Sequence, residues 1–195
     1  MKLILFVGHH KIGSTALQNY LSGHSMAMLE NGVLYPAVER QGLKVMTGSF
    51  GNRANADRNL PINYREAHNA LAFRMMSDHN PAHRVPDLHQ NLPPSSEMLA
   101  TIHRQIEAYE PHTVILAAEV FANFGVIAPG LIETLAQAFP GAELHLTATL
   151  RRVDDYMVSW HAQRLRFGQK PVSLPDGRLV ARYASTWRRE ADGRW

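Results

Sequence analysis

The chain of 195 residues contains no cysteine. That absence excludes a disulfide framework, a thiolate metal site and a thiol nucleophile, and it is compatible with a reducing cytoplasm, the compartment expected here. Long apolar runs are missing too. A membrane-spanning helix needs roughly 18 or more apolar residues, whereas the opening MKLILFVG offers only Leu3 to Val7 before Gly8, His9, His10 and Lys11 end the run. The run is also shorter than the apolar centre of a secretory signal and reads as a buried first strand. Strong charge of either sign is lacking. Twenty Lys plus Arg against 17 Asp plus Glu leave +3, far from the dense basic stripe of a dedicated nucleic-acid binder and well suited to a small anionic ligand. There is no internal repeat and no low-complexity segment.

What is present is an alternation of strands and helices. A length of 195 residues with 45% hydrophobic residues predicts one domain, 1–195, with a proper core. Leu3 to Val7 is strand-like, and Ser14 to Leu29 carries apolar residues at helical spacing. Residues 31–63 are rich in Gly, Asn, Pro and Arg; NGVLYP reads as a turn with a short extended piece and GSFGNRANADRN as an irregular loop, together an insertion over the site. Tyr64 to Ser77 is compatible with a helix, HNPAHRVPDLHQNLPPSS is broken by prolines, and Ser95 or Ser96 is placed to cap a helix to Tyr109. HTVILAAE is a second buried strand, Pro129 to Phe139 a helix, AELHLTATL a third strand, and RRVDDYMVSWHAQRLRF a helix. This order predicts an α/β fold, a three-layer α/β/α arrangement around a parallel sheet.

In such a sheet ligands sit beyond the carboxyl ends of the strands, so the loops after Val7, Ala118 and Leu150 carry the chemistry. The first, within FVGHHKIGSTALQNYL, has the outline of a phosphate-binding loop with its lysine misplaced. Nucleoside triphosphate-binding loops put Lys directly after the second glycine, but here Lys11 precedes Gly13 by two residues. Gly13 lets the backbone approach an anion, Ser14 and Thr15 add hydroxyl donors, and the following helix begins with free amides. The second loop ends in Glu119. The third supplies Arg151 and Arg152, with Ser159 farther along the next helix.

HHKIGSTALQ resembles the 5'-phosphosulfate-binding loop of the sulfotransferase family, whose bacterial branch often continues to Leu-Gln as Leu17 and Gln18 do. LRRVDDYMVS is similar to that family's 3'-phosphate element, an Arg at a strand end and a Ser eight residues on, here Arg151 and Ser159 with Asp155 between. NGVLYP and ILAAEVF look like two further family segments, although small hydroxyl residues common in the latter are alanines here. The resemblance implies a fold like that of P-loop nucleoside triphosphate hydrolases. It also implies transfer of a sulfuryl group from 3'-phosphoadenosine 5'-phosphosulfate (PAPS) to a hydroxyl or amine, leaving 3',5'-bisphosphoadenosine (PAP), without a metal. His10, Lys11, Ile12, Gly13, Ser14 and Thr15 would hold the 5' end, and Arg151 and Ser159 the 3'-phosphate. Family members usually continue past a helix like RYASTWRRE, so the resemblance leaves a compact member or a C-terminally truncated one open.

The chemistry explains these residue types. Sulfuryl transfer builds negative charge on the bridging oxygen of the leaving phosphate, which the Lys11 ammonium would stabilise most in the transition state. Arg151 can meet a phosphate bidentately. For the base that deprotonates the acceptor, Glu119 and His68 are the two candidates. His10 either touches the sulfuryl group or packs in the loop, and Tyr156 and Trp160 are core or one wall for the adenine, with core favoured. His79 and His83 are four apart, but Pro81 between them argues against a helical metal site, so loop histidines are read as solvated. The acceptor, a carbohydrate, lipid or small metabolite, would be selected by residues 37–63 and 80–95. Two other readings stand beside this one: a P-loop kinase, against which neither later strand ends in an aspartate for magnesium, and a degenerate domain that binds nucleotide without transfer.

Overall fold

The computed structural model describes residues 1–8, 10–48, 60–89 and 91–166. His9, residues 49–59 within GSFGNRANADRN, and RYASTWRRE lie outside the described residues. The fold is α/β with an all-parallel four-stranded sheet: β1 (Lys2–Phe6), β2 (Val33–Leu34), β3 (Thr113–Ala117) and β4 (Glu143–Thr147), in spatial order β2-β3-β1-β4. Central β1 pairs in register with β3 from Lys2 opposite Thr113, and with β4 from Lys2 opposite Glu143. The chain leaves β1 towards β2 and β3 on one side and returns to β4 on the other. The loop after β1 therefore stands at the switch point of the sheet, where ligands bind.

Alternation along the central strands separates two apolar layers. Leu3, Leu5 and Val7, with Val114 and Leu116, point into the larger core. Helices α5 (Ala67–His79), α6 (Ser95–Tyr109) and α8 (Gly130–Gln137) contribute Leu71, Met75, Met98, Ile102, Leu131 and Leu135 to it. Phe6 and Ala117 point the other way, against Leu17 and Leu21 of α1 (Ser14–Gly23) and against Ile12 and Tyr35. Helix α1 thus covers the face opposite the main core, and Ile12 anchors the loop before it.

Several elements differ from the sequence reading. The expected helix from Ser14 to Leu29 is two, α1 and α2 (Ser25–Leu29), divided at His24, whose ring Nδ1 and backbone N–H both reach the Tyr20 carbonyl. Residues 40–48 form α3 (Arg40–Gly48), which Gly42 and Gly48 disguise. The Glu39 carboxylate accepts the backbone N–H groups of Gln41 and Gly42, both at 2.6 Å, and so caps it. A short α4 (Ile62–Arg65) precedes α5. Pro94, not a serine side chain, stands at the cap of α6, and the Ser95 N–H donates instead to Asp78 Oδ2 on α5 at 2.7 Å. After β3 comes a 3₁₀ turn, Glu119–Asn123, then α7 (Phe124–Ile127). The third expected strand ends at Thr147, where β1 also ends, and α9 (Val153–Arg166) follows.

Strand β2 has only two residues, so β3 outruns its neighbour on that side. The peptide of Ala117 would be left unpaired in a buried place, where an unmet backbone group is costly. Two side chains finish the ladder. The Ala117 N–H donates to His68 Nδ1 at 3.0 Å, and Gln18 Nε2 donates to the Ala117 carbonyl at 3.2 Å. His68 is completely buried and meets the Tyr35 ring edge-on, with centroids 4.5 Å apart. His89, read as one of the solvated loop histidines, is also buried; its Nδ1 lies 2.9 Å from Asn63 Oδ1 and its ring packs near Phe73.

Burial lowers the His68 pKa to about 3 from the ordinary 6.5, against a weaker upward pull from the Pro36 carbonyl. His89 moves down for the same first reason. Well above pH 6.5 both rings are neutral in the folded and the unfolded chain, so neither contributes a pH dependence there. As pH falls from about 6.5 towards 3, the unfolded chain takes up a proton that the folded His68 refuses, and stability should fall by up to about 1.4 kcal/mol per pH unit. Urea unfolding of wild type and His68→Gln at about pH 7 and pH 5 checks this. The variant should be weaker at pH 7 but lose less on acidification, and equal losses would show that His68 is not the buried neutral group.

Candidate functional site

Beyond the carboxyl ends of β1, β3 and β4 lies a polar cleft of about 300 Å³ lined by His10, Lys11, Gly13, Ser14, Thr15, Glu119, Arg151, Ser159 and Gln163. Residues separated by more than a hundred positions meet because the three strands are neighbours and end at one level. The loop from Gly8 to Gly13 makes the sharp return from β1 into α1. Gly8 has φ +37°, and a Cβ there would come within 2.7 Å of the Phe6 ring. Gly13, at φ +89°, sits just before α1 in the left-handed region. Its carbonyl accepts the amides of Ala16 and Leu17, and among the described residues no side chain caps the helix. The amides of Ser14 and Thr15 are then the donors that the helix does not use on itself. Together with the helix dipole they favour an anion.

Lys11 also has a left-handed backbone, with φ +66°. For a residue with a side chain this conformation costs about 1–2 kcal/mol, and persists where the surroundings enforce it. One enforcing contact comes from the far side of the cleft: Arg151 Nη1 donates to the Lys11 carbonyl at 3.1 Å. The two sequence elements expected to hold separate anionic groups are therefore joined directly. Arg152, by contrast, turns outward and pairs with Asp154 at 2.7 Å through both nitrogens and with Asp155 at 3.7 Å. That pairing holds the exposed Asp154 carboxyl below its usual range.

No protein-family model, curated protein or solved structure matches this chain.

Of the residues singled out from sequence, His10, Lys11, Gly13, Ser14, Thr15, Glu119, Arg151 and Ser159 share the cleft. Ile12 does not line it; its side chain packs with Phe6, Leu21, Tyr35 and Ala117. His68 is not brought there either. It stands behind the end of β3, wholly buried, with Nδ1 committed to the Ala117 amide, so it has no route to a proton in the cleft. Glu119, at the start of the 3₁₀ turn, lines the cleft, and its Oε2 is buried without a hydrogen-bond partner among the described residues. His10 Nε2 lies 3.4 Å from Asn123 Oδ1, and its ring centroid is 5.9 Å from that of Trp160. Tyr156 is buried, as expected of a core aromatic.

Two participants escaped the sequence reading. Gln163 lines the cleft one helical turn beyond Ser159, a position that i, i+4 spacing along α9 points to once Ser159 is chosen. Asn123 enters only through its contact with His10, and nothing in the sequence singles it out.

The strained backbone separates what Lys11 does for the fold from what it does for a ligand. Lys11→Gly should leave the protein as stable as wild type or more stable by up to about 1 kcal/mol, since glycine relieves the left-handed strain and its extra unfolded-state entropy offsets only part of that gain. Binding of inorganic phosphate in the cleft should weaken in the same variant, which lacks the ammonium. Thermal melts and calorimetric titration check both. Loss of stability would show that the Lys11 side chain itself helps to hold the loop.

Proposed function

We propose that the protein is a sulfotransferase that moves a sulfuryl group from PAPS to a hydroxyl or amine acceptor on a carbohydrate, lipid or small metabolite. The observation that carries this reading is the meeting of the Lys11–Thr15 loop with Arg151 and Ser159 in one polar cleft at the switch point of a parallel sheet. A donor with anionic groups at its 5' and 3' ends requires two such elements side by side. The available groups suit it: an ammonium, a guanidinium, three hydroxyls and two helix-start amides, with one carboxylate among them. The position of Lys11, two residues before the glycine, supports a phosphosulfate-binding loop of the P-loop type.

In this mechanism Arg151 and Ser159 bind the 3'-phosphate, and the amides of Ser14 and Thr15 with the Thr15 hydroxyl hold the 5' end. The acceptor oxygen or nitrogen bonds to sulfur as the bond from sulfur to the bridging oxygen breaks, and the electron pair stays on the phosphate of PAP. Lys11 stabilises that developing charge. Glu119 takes the acceptor's proton, a role supported by its buried, partnerless Oε2. With His68 outside the cleft, Glu119 is the base this reading assigns.

Nucleotide selectivity tests the anion sites. The protein should bind PAP in EDTA and prefer it to 5'-AMP, because the Arg151 and Ser159 element has a 3'-phosphate to meet; equal affinities measured by calorimetry would remove that element from the site. A requirement for magnesium would favour the kinase reading.

Labelled PAPS with a panel of acceptors tests catalysis. Lys11→Ala should lower single-turnover transfer by about 10²- to 10³-fold with a much smaller change in PAP affinity. Glu119→Gln should lower it by about 10²-fold or more. Arg151→Ala should mainly weaken binding, through loss of its own contact and release of the Lys11 carbonyl. Transfer by Lys11→Ala at the wild-type rate would reduce the loop to an anchor, and binding without transfer by wild type to any acceptor or to water would leave a nucleotide-binding domain.

A further inference from the structure

The cleft is assembled from two bodies that the chain does not join locally. One is the loop with α1, to which Arg151 is tied through the Lys11 carbonyl. The other is the end of β3 with Glu119, two residues beyond Ala117. Between them runs a buried chain of hydrogen bonds. Gln18, one turn beyond Ser14 on α1, is fully buried and donates from Nε2 to the Ala117 carbonyl at 3.2 Å. Its Oε1 accepts from Asn69 Nδ2 at 3.4 Å, and Asn69 Nδ2 also reaches Glu66 Oε2 at 3.3 Å. The other side of the Ala117 peptide is fixed by His68, and the Ala118 N–H donates to the Phe6 carbonyl at 3.0 Å.

We infer that Gln18 is a positioning residue that sets the distance between the anion-binding loop and Glu119. Its amide makes the side-chain hydrogen bond from α1 to the end of β3, beside the contact of His10 Nε2 in the loop with Asn123 Oδ1 at the far end of the Glu119 turn, and Asn69 holds that amide in the orientation with nitrogen towards the Ala117 carbonyl. Since Arg151 travels with the loop, shifting α1 leaves the anion contacts together and changes their spacing to Glu119. Gln18 therefore governs turnover more than binding. The identity of the reaction rests on the sulfuryl-transfer reading; the linkage between the two bodies rests on the hydrogen bonds alone.

Two variants and two readouts test this on the full chain. Gln18→Met removes both hydrogen bonds at similar volume, and Gln18→Glu keeps the shape and the acceptor for Asn69 but faces the Ala117 carbonyl with an oxygen. The first readout is single-turnover hydrolysis of saturating PAPS, with water as acceptor: a water oxygen bonds to sulfur, the bond to the bridging phosphate oxygen breaks with its electron pair left on the phosphate, and PAP, sulfate and the two protons of the water are released. Both variants should slow it by roughly 10- to 100-fold, the scale expected for a misplacement of about 1 Å, while PAP affinity changes less than about threefold. The second readout is hydrogen exchange, where amides 14–18 and 118–120 should exchange faster in the variants and those of α6 should not. A lower melting temperature with wild-type hydrolysis and unchanged local exchange would overturn the inference and leave Gln18 a packing residue. Wild type that binds PAP but hydrolyses no PAPS would remove the sulfuryl-transfer reading, and the exchange readout would then decide the linkage by itself. If neither variant folds, the Gln18 side-chain amide protons of wild type decide: protection from solvent supports the bond to Ala117, and exchange at the solvent rate overturns it.

Discussion

A buried peptide group must find a partner, and the peptide of Ala117 is where this requirement organises the molecule. Strand β2 stops too early to pair with it. The sheet could have ended there, with β3 bending away to water. Instead His68 from α5 and Gln18 from α1 complete the ladder from opposite layers, so that the N–H and carbonyl of one residue bind both helical layers to the strand that leads into Glu119. A hydrogen bond of this kind contributes only about 1 kcal/mol net, but leaving either half unmet in the interior costs more. This explains why an imidazole and a primary amide tolerate complete burial beside apolar neighbours such as Tyr35.

Charge in the cleft follows the same economy of position. Lys11 and Arg151 supply positive charge, Glu119 negative, and the start of α1, with no acidic residue in its first turn, adds partial positive charge. Arg152, adjacent to Arg151, is removed from this field by its pairing with Asp154 and Asp155. Two neighbouring arginines thus have different work: one locks the loop and lines the cleft, the other pairs on the surface.

Much of this was legible because the informative residues lie at strand ends. The runs Leu3 to Val7, HTVILAAE and AELHLTATL are apolar enough to mark buried strands, and residues from the loops after them meet in one cleft. What failed did so for identifiable reasons. Residues 40–48 contain two glycines and conceal a helix that is capped by Glu39, a residue outside the usual short capping set. His68 has the right chemistry for a base, and sequence cannot distinguish an imidazole facing a cleft from one that finishes a ladder; that depends on β2 stopping after two residues. Gln163 and Asn123 become visible only when a first contact is fixed, because polar residues on a helix carry no label for the side they face. The direct bond from Arg151 to the Lys11 carbonyl was also hidden, since nothing in either segment encodes a partner 140 positions away.

That separation bears on how the protein comes into being. Both sheet partners of β1 come more than a hundred residues after it in the chain, and such distant pairings form slowly. During synthesis the first strand and its glycine-bounded loop emerge with no neighbour to flatten against and no guanidinium to hold the loop. The cleft is consequently a late product of the ribosome, complete only after Arg151 has cleared the exit tunnel.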